Sequence, residues 1–240
     1  MKRNFIKNIL KRALILGLIT LSCLSFSPLK VNAVEYGKNN SYQIEQLSLE
    51  NRDMNTVENQ MKYSLGTICL DLAHNDLNSS GTIDNGATYK NYNERVISNR
   101  ISLKVGKKLQ QKGYYVKYTR PYDKPASLKD RIRIGNEYNY DLYFSLHLNS
   151  CEVDNSAKGC EAFTNGKGWS VANNISNNIK PLGINNRKIC STPYYTKNIK
   201  GSTVLFELGF INNDKEIENI INNEDAIVDA IVDGIIEGIK

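Results

Sequence analysis

Hydrophobic and polar positions change period along the chain, and the changes mark out elements. Residues 67–72 (TICLDL) are a short apolar run and predict a buried strand. Residues 73–93 are rich in Asn, Ser, Gly and Asp and predict a long loop. From Glu94 to about Lys112 the period becomes helical. Ile97, Ile101, Val105 and Leu109 form a stripe, Asn93 is placed to cap it and Gly113 to end it. A second strand follows at 114–119, and Ser127–Asp130 reads as a variant capping box that opens a helix to about residue 138. Residues 141–149 (DLYFSLHLN) alternate with the period of two of a strand. A short strand at Cys160–Thr164, a helix at 169–182 and a strand at Thr203–Phe210 (TVLFELGF) come next. Residues 214–239 close the chain with one or two helices, with Ile227, Ile231, Ile235 and Ile239 at four-residue spacing. Strands alternating with helices predict a single α/β domain over residues 65–240, with a mostly parallel, twisted sheet and helices on both faces. Ligands of such sheets lie beyond the C-terminal ends of the strands.

The first 64 residues follow another pattern. A basic stretch ends at Arg12, a 14-residue apolar run extends from Ala13 to Phe26, and Val31-Asn32-Ala33 offers small residues at −3 and −1 of a cleavage site. The apolar run is short of the roughly 20 residues a spanning helix needs. Residues 1–33 therefore read as a secretory signal peptide, cleaved before Val34. The mature chain is then secreted, extracellular or wall-associated, without stable membrane insertion. Residues 34–64 read as a polar linker or weak helical extension, with Ile44, Leu47, Met54, Val57 and Met61 in a loose helical period.

The formal charge of +6 suggests a polyanion binder until its distribution is considered. Six of the 31 basic residues lie in the signal segment and none of the 25 acidic ones does, so 31 − 6 = 25 cations balance 25 acids in the mature chain. That balance gives no case for a nucleic-acid partner. Four cysteines remain there, Cys69, Cys151, Cys160 and Cys190, with no C-x-x-C spacing. Export permits a Cys151–Cys160 bridge, while Cys69 and Cys160 also read as buried strand thiols.

Against this background four positions carry chemistry. His74 lies just past the first strand, and His147 lies near the end of the 141–149 strand, on the face shared by Tyr143, Ser145 and Asn149. They are the chain's only histidines, and both fall where strand ends approach one another. Glu207 interrupts the apolar run VLFELGF, where a carboxylate is costly unless paired, coordinated or protonated. Gly209, two residues on, leaves room for something to approach that face. Glu94 opens a helix after the His74 loop, where it is either a helix-dipole acid or a ligand. Two His and one Glu suit a catalytic zinc with an open fourth position, and a further Glu suits proton transfer.

In order along the chain stand Asp71-x-x-His74, Asp84-Asn85-Gly86-Ala87, Glu94, Thr119-Arg120-x-x-Asp123 with Leu128-x-x-Arg131, the strand 141–149, Gly159-Cys160-Glu161, and 204–212 (VLFELGFIN). This series resembles the zinc-dependent N-acetylmuramoyl-L-alanine amidases of sporulation, autolysis and phage lysis, whose first motif usually reads D-P-G-H-G-G. The departure is Leu72-Ala73 and Asn75-Asp76 in place of P-G and G-G, which changes the loop around His74. The resemblance implies a hydrolase of peptidoglycan that cuts the amide between the N-acetylmuramic acid lactyl group and L-alanine. It implies Zn2+ held by His74, Glu94 and His147, with Glu207 as the catalytic acid/base. Asn149 is expected to contact substrate or support a ligand, and Arg120, Asp123 and Arg131 to fix a loop. A zinc peptidase acting on the stem peptide and an inactive wall-binding relative are the alternatives. Oligomeric state is left open.

Overall fold

The computed structural model describes residues 54–76, 81–166, 168–192 and 194–240. The signal-peptide expectation and most of the 34–64 stretch lie outside them. Within that stretch, Met54–Tyr63 is a helix, α1. Strand β1 (Thr67–Asp71) follows, then a small hairpin of β2 (Thr88–Tyr89) and β3 (Tyr92–Asn93) inside the expected loop. Helix α2 (Glu94–Gln111) starts on Asn93, whose side chain accepts from the Val96 amide as the sequence predicts. Then come β4 (Tyr115–Tyr118), α3 (Leu128–Gly135), β5 (Leu142–Asn149), β6 (Cys160–Thr164) and α4 (Trp169–Ile179). The chain ends with β7 (Asn186–Ser191), β8 (Thr203–Phe210), α5 (Asp214–Asn222) and α6 (Glu224–Gly238).

Two helices stop earlier than their patterns suggest. Helix α3 ends at Gly135 rather than near 138, where a Cβ on Gly135 would lie 2.7 Å from the Tyr143 ring. Asn136 then turns outward, and its side chain bonds the backbone at Asn198 and Lys200. Helix α4 gives way at Ile179 to a tight turn, Lys180–Leu182, because Pro181 has no N–H to continue the ladder. Gly183 ends that turn in the left-handed region at φ 85°.

The main sheet has the order β4-β1-β5-β8-β6-β7. Neighbours are parallel except β6 and β8, which run antiparallel. The period-two alternation gives the sheet two unlike faces. One carries Ile68, Leu70, Phe144, Leu146, Val204 and Phe206 and packs with α2, α4, α5 and α6 into the main core. The other carries Cys69 and Tyr143, covered by Met61 of α1 and by Ile132 and Ile134 of α3. Toward the C-terminal strand ends, that second face turns polar. Asp71 is paired with Ser145, and His147 with Glu207, which in turn is paired with Glu161. Among the described residues, no helix is long and apolar enough to cross a membrane.

Candidate metal centre

Strand β1 ends in Asp71, and the chain turns sharply at once. His74 and Asn75 both have left-handed backbones, at φ 60° and 67°. Asn tolerates that region and His does so less readily, so surrounding contacts must hold the turn. Two buried arginines do so. Arg120 donates to the carbonyls of Leu72 and Ala73 at 2.9 and 3.0 Å. Arg131 donates to the Leu72 carbonyl at 2.6 Å and to the His74 carbonyl, and pairs with Asp71 at 2.6 Å. The side chain of Asn75 donates to the Lys124 carbonyl at 3.0 Å, and its amide donates to the Asp84 carbonyl at 2.9 Å. The arginines expected to fix a loop thus fix the one that aims His74.

Glu94 arrives from the first turn of α2, where the Ala87 amide donates to Oε2 at 2.8 Å and the Leu148 amide to Oε1 at 3.2 Å. His147 comes from the end of β5. His74 Nε2 lies 2.7 Å and His147 Nδ1 3.0 Å from Glu94 Oε1, and the two ring nitrogens are 3.2 Å apart. Among the described residues this is the group whose donor atoms could hold a metal, all within 4.8 Å of one another. Gly86 closes one side at φ 67°, where a Cβ would meet Glu94 Oε2 at 2.5 Å and His74 Nε2 at 2.6 Å. Its amide donates to Asp84 Oδ1, and the other oxygen of Asp84 lies 2.7 Å from His74 Nδ1. Asp84 therefore accepts from the outer nitrogen of His74 and leaves the inner one directed at Glu94.

The electrostatics of the cluster call for a positive charge. Burial alone would raise Glu94, but the two imidazoles beside it hold its carboxyl far below the usual range. Burial would lower His74, yet Glu94 and Asp84 outweigh it and raise the imidazole to about 9. In the protein alone a proton on His74 meets that demand. Two imidazole nitrogens and one carboxylate oxygen are also the donor set of an open catalytic zinc site, so the residues fit a metal.

Glu207 stands beside the cluster on β8. Its Oε2 is enclosed without a hydrogen-bond partner, and burial raises its carboxyl to about 7. A structural ion pair would have looked different. Glu161 on the other flank shows that case, bound by Arg187 at 2.8 Å and Lys188 at 3.2 Å. Asn149 donates to Glu161 at 3.3 Å and lines the same cleft as Glu207. The cleft encloses about 410 Å³, and Leu128 and Tyr194 stand exposed on its lining.

What approaches Gly209 is not a ligand. A Cβ there would meet the Glu216 carboxyl carbon at 2.9 Å, and that carboxylate accepts from the Phe210 and Gly159 amides. No disulfide joins Cys151 and Cys160, since all four cysteines among the described residues are free. Sequence reasoning did not single out Ser145 or Tyr195, which both donate to Asp71 beneath the histidines.

Comparison with known proteins identifies the family and the fold. Residues 68–237 match the family described as N-acetylmuramoyl-L-alanine amidase. The N-acetylmuramoyl-L-alanine amidase LytC of Bacillus subtilis (strain 168) is 28% identical across 68% of this chain and 34% of its own length. The chain thus spans about a third of that curated relative. Among solved structures, an N-acetylmuramoyl-L-alanine amidase from Clostridium difficile 630 superimposes with a TM-score of 0.61 at 27% identity, covering 72% of this chain and 94% of that one. The amidase AmiC2 of Nostoc punctiforme has the same fold, with a TM-score of 0.64 at 22% identity over 70% of this chain and 94% of that one. Since the family match runs from the first strand of the sheet into the last turn of α6, the chain belongs to the N-acetylmuramoyl-L-alanine amidase family.

Proposed function

We propose that this protein is a zinc-dependent peptidoglycan amidase that hydrolyses the bond between the lactyl group of N-acetylmuramic acid and L-alanine. The observation that carries the reading is the pairing of His147 with Glu207 on adjacent strands. It sets a three-donor cluster beside an enclosed, unpartnered carboxylate. His74, Glu94 and His147 would hold the zinc. A zinc in such a site supplies Lewis-acid polarisation of a carbonyl and makes a water more acidic.

The chain's own residues do the rest. Glu207, raised to about 7 by burial, is poised to take a proton from the attacking water near neutral pH. The same carboxyl then gives a proton to the departing alanine nitrogen, so the group ends as it began and no covalent enzyme intermediate is needed. Asp84 keeps the ring of His74 oriented. Asn149, on the cleft wall and tied to Glu161, is placed to contact substrate. The leader-like residues 1–33 support export to the wall, where the substrate lies.

Mass spectrometry of purified peptidoglycan digested with the protein tests this. Free lactyl carboxyls and new alanine amino ends are expected. Cuts within the stem peptide would replace the reading with a peptidase, and an undigested wall would replace it with a binding role.

A further inference from the structure

Asp71 is deeply buried and saturated. Its Oδ1 accepts from Thr119 at 2.6 Å and from Arg131 at 2.6 Å. Its Oδ2 accepts from the Ser145 hydroxyl at 2.8 Å and from the Tyr195 hydroxyl. Four donors fill the acceptor positions of an ionised carboxylate, which has no proton of its own to give. Ser145 has one proton, and it is committed to Asp71. The Ser145 oxygen also lies 3.1 Å from His147 Nε2. It meets that nitrogen only as an acceptor, so Nε2 is the protonated one. With a proton fixed on Nε2, Nδ1 is the nitrogen left to a metal, and it faces Glu94 and His74.

We propose that Ser145, held by Asp71, is a positioning residue that fixes the tautomer and ring orientation of His147, so that Nδ1 is presented for metal binding. The relay has a second branch. Through Arg131 the same carboxylate secures the Leu72 and His74 carbonyls, so one buried charge sets both histidines. His147 has no carboxylate against its outer nitrogen as His74 has in Asp84, and the Ser145–Asp71 pair does that work at one remove. The inference rests on the metal reading above for its purpose. The hydrogen bond itself stands on the geometry.

The test is Ser145→Ala with Ser145→Thr beside it. Alanine removes one oxygen from a buried position and leaves Asp71 three of its four donors, so melting should show a folded protein. Its zinc affinity, measured by competition with a chromophoric chelator, should fall about 10–100-fold, the usual effect of losing a group that supports a ligand. The His147 Nε2–H proton resonance should exchange slowly in the parent and in Ser145→Thr, and fast in Ser145→Ala. Parent-like zinc affinity together with a slowly exchanging ring proton in Ser145→Ala would overturn the proposal. So would an equal loss of affinity in a folded Ser145→Thr. The ring proton is read in zinc-loaded and metal-free protein alike. A parent chain that bound no zinc would thus sink the functional reading, while the hydrogen bond was still decided on its own.

Discussion

At the scale of residues, the separation of roles between Glu207 and His147 gives the sharpest expectation. Glu207→Gln keeps the shape and removes the proton acceptor, so it should bind zinc normally and lose about 10²–10⁴-fold in muropeptide release. Because burial raises this carboxyl from 4.5 to about 7, ionising it costs the metal-free fold stability as pH rises through that window. The Gln variant should therefore melt no lower than the parent at neutral pH. His147→Ala should lose zinc and activity together. A zinc-loaded Gln variant with parental turnover would rule out the role given to Glu207. The sequence showed these residues for plain physical reasons. The chain has only two histidines, and an acid inside VLFELGF is conspicuous. Glu94 could be weighed as a ligand but was separated from a helix-dipole acid only by the family resemblance. Ser145 stayed hidden, because a polar residue in an alternating strand looks the same whether it faces water or Asp71. Arg131 likewise acts on backbone carbonyls, which no side-chain pattern can announce.

At the scale of elements, the core strands and the edge strand β4 were legible, while the edge strand β7 and the small hairpin were not. β1, β5 and β8 are dense in apolar residues and nearly or fully buried. β7, with the sequence NRKICS, is a mostly exposed edge strand, and edge strands carry charge in place of an apolar face. The β2–β3 hairpin has two residues on each side, too few to set a period. Helix α6 showed its isoleucine stripe but not its second packing device. A Cβ on Gly234 would lie 2.6 Å from the Ile175 amide nitrogen, and one on Gly238 2.5 Å from the Val171 Cα. The missing side chains let the backbones of α4 and α6 touch. In a free helix, Gly→Ala gains about 1 kcal/mol. Here the obstacle is backbone and cannot swing aside, so Gly234→Ala should destabilise the protein by about 1–3 kcal/mol. Urea unfolding measures it, and a variant more stable than the parent would show that the two helices can part without cost.

At the scale of the whole molecule, metal binding and folding stability are linked through the protons of the centre. In metal-free protein the carboxylates of Glu94 and Asp84 overcome burial and raise His74 from 6.5 to about 9. A folded-state pKa above the unfolded one means a stabilising contribution that is complete below about 6.5 and lost as pH rises through about 9. In the proposed site, zinc would take His74 Nε2, the nitrogen that faces Glu94, without its proton. Across that window, each displaced proton should strengthen apparent zinc affinity about tenfold per pH unit, or about 1.4 kcal/mol. On the zinc reading the metal binds only the folded state, so at fixed free zinc the loaded protein should gain stability by mass action as affinity rises. The two trends run in opposite directions. The metal-free protein should weaken toward alkaline pH as the zinc-loaded protein gains on it, and the gap in melting temperature should widen from about pH 6.5 to about 9. Calorimetric scans in zinc-buffered and chelator-treated samples across that range measure the gap. A gap that stayed constant or narrowed with rising pH would mean that zinc does not displace the His74 proton, and His74 would have to be removed from the ligand set.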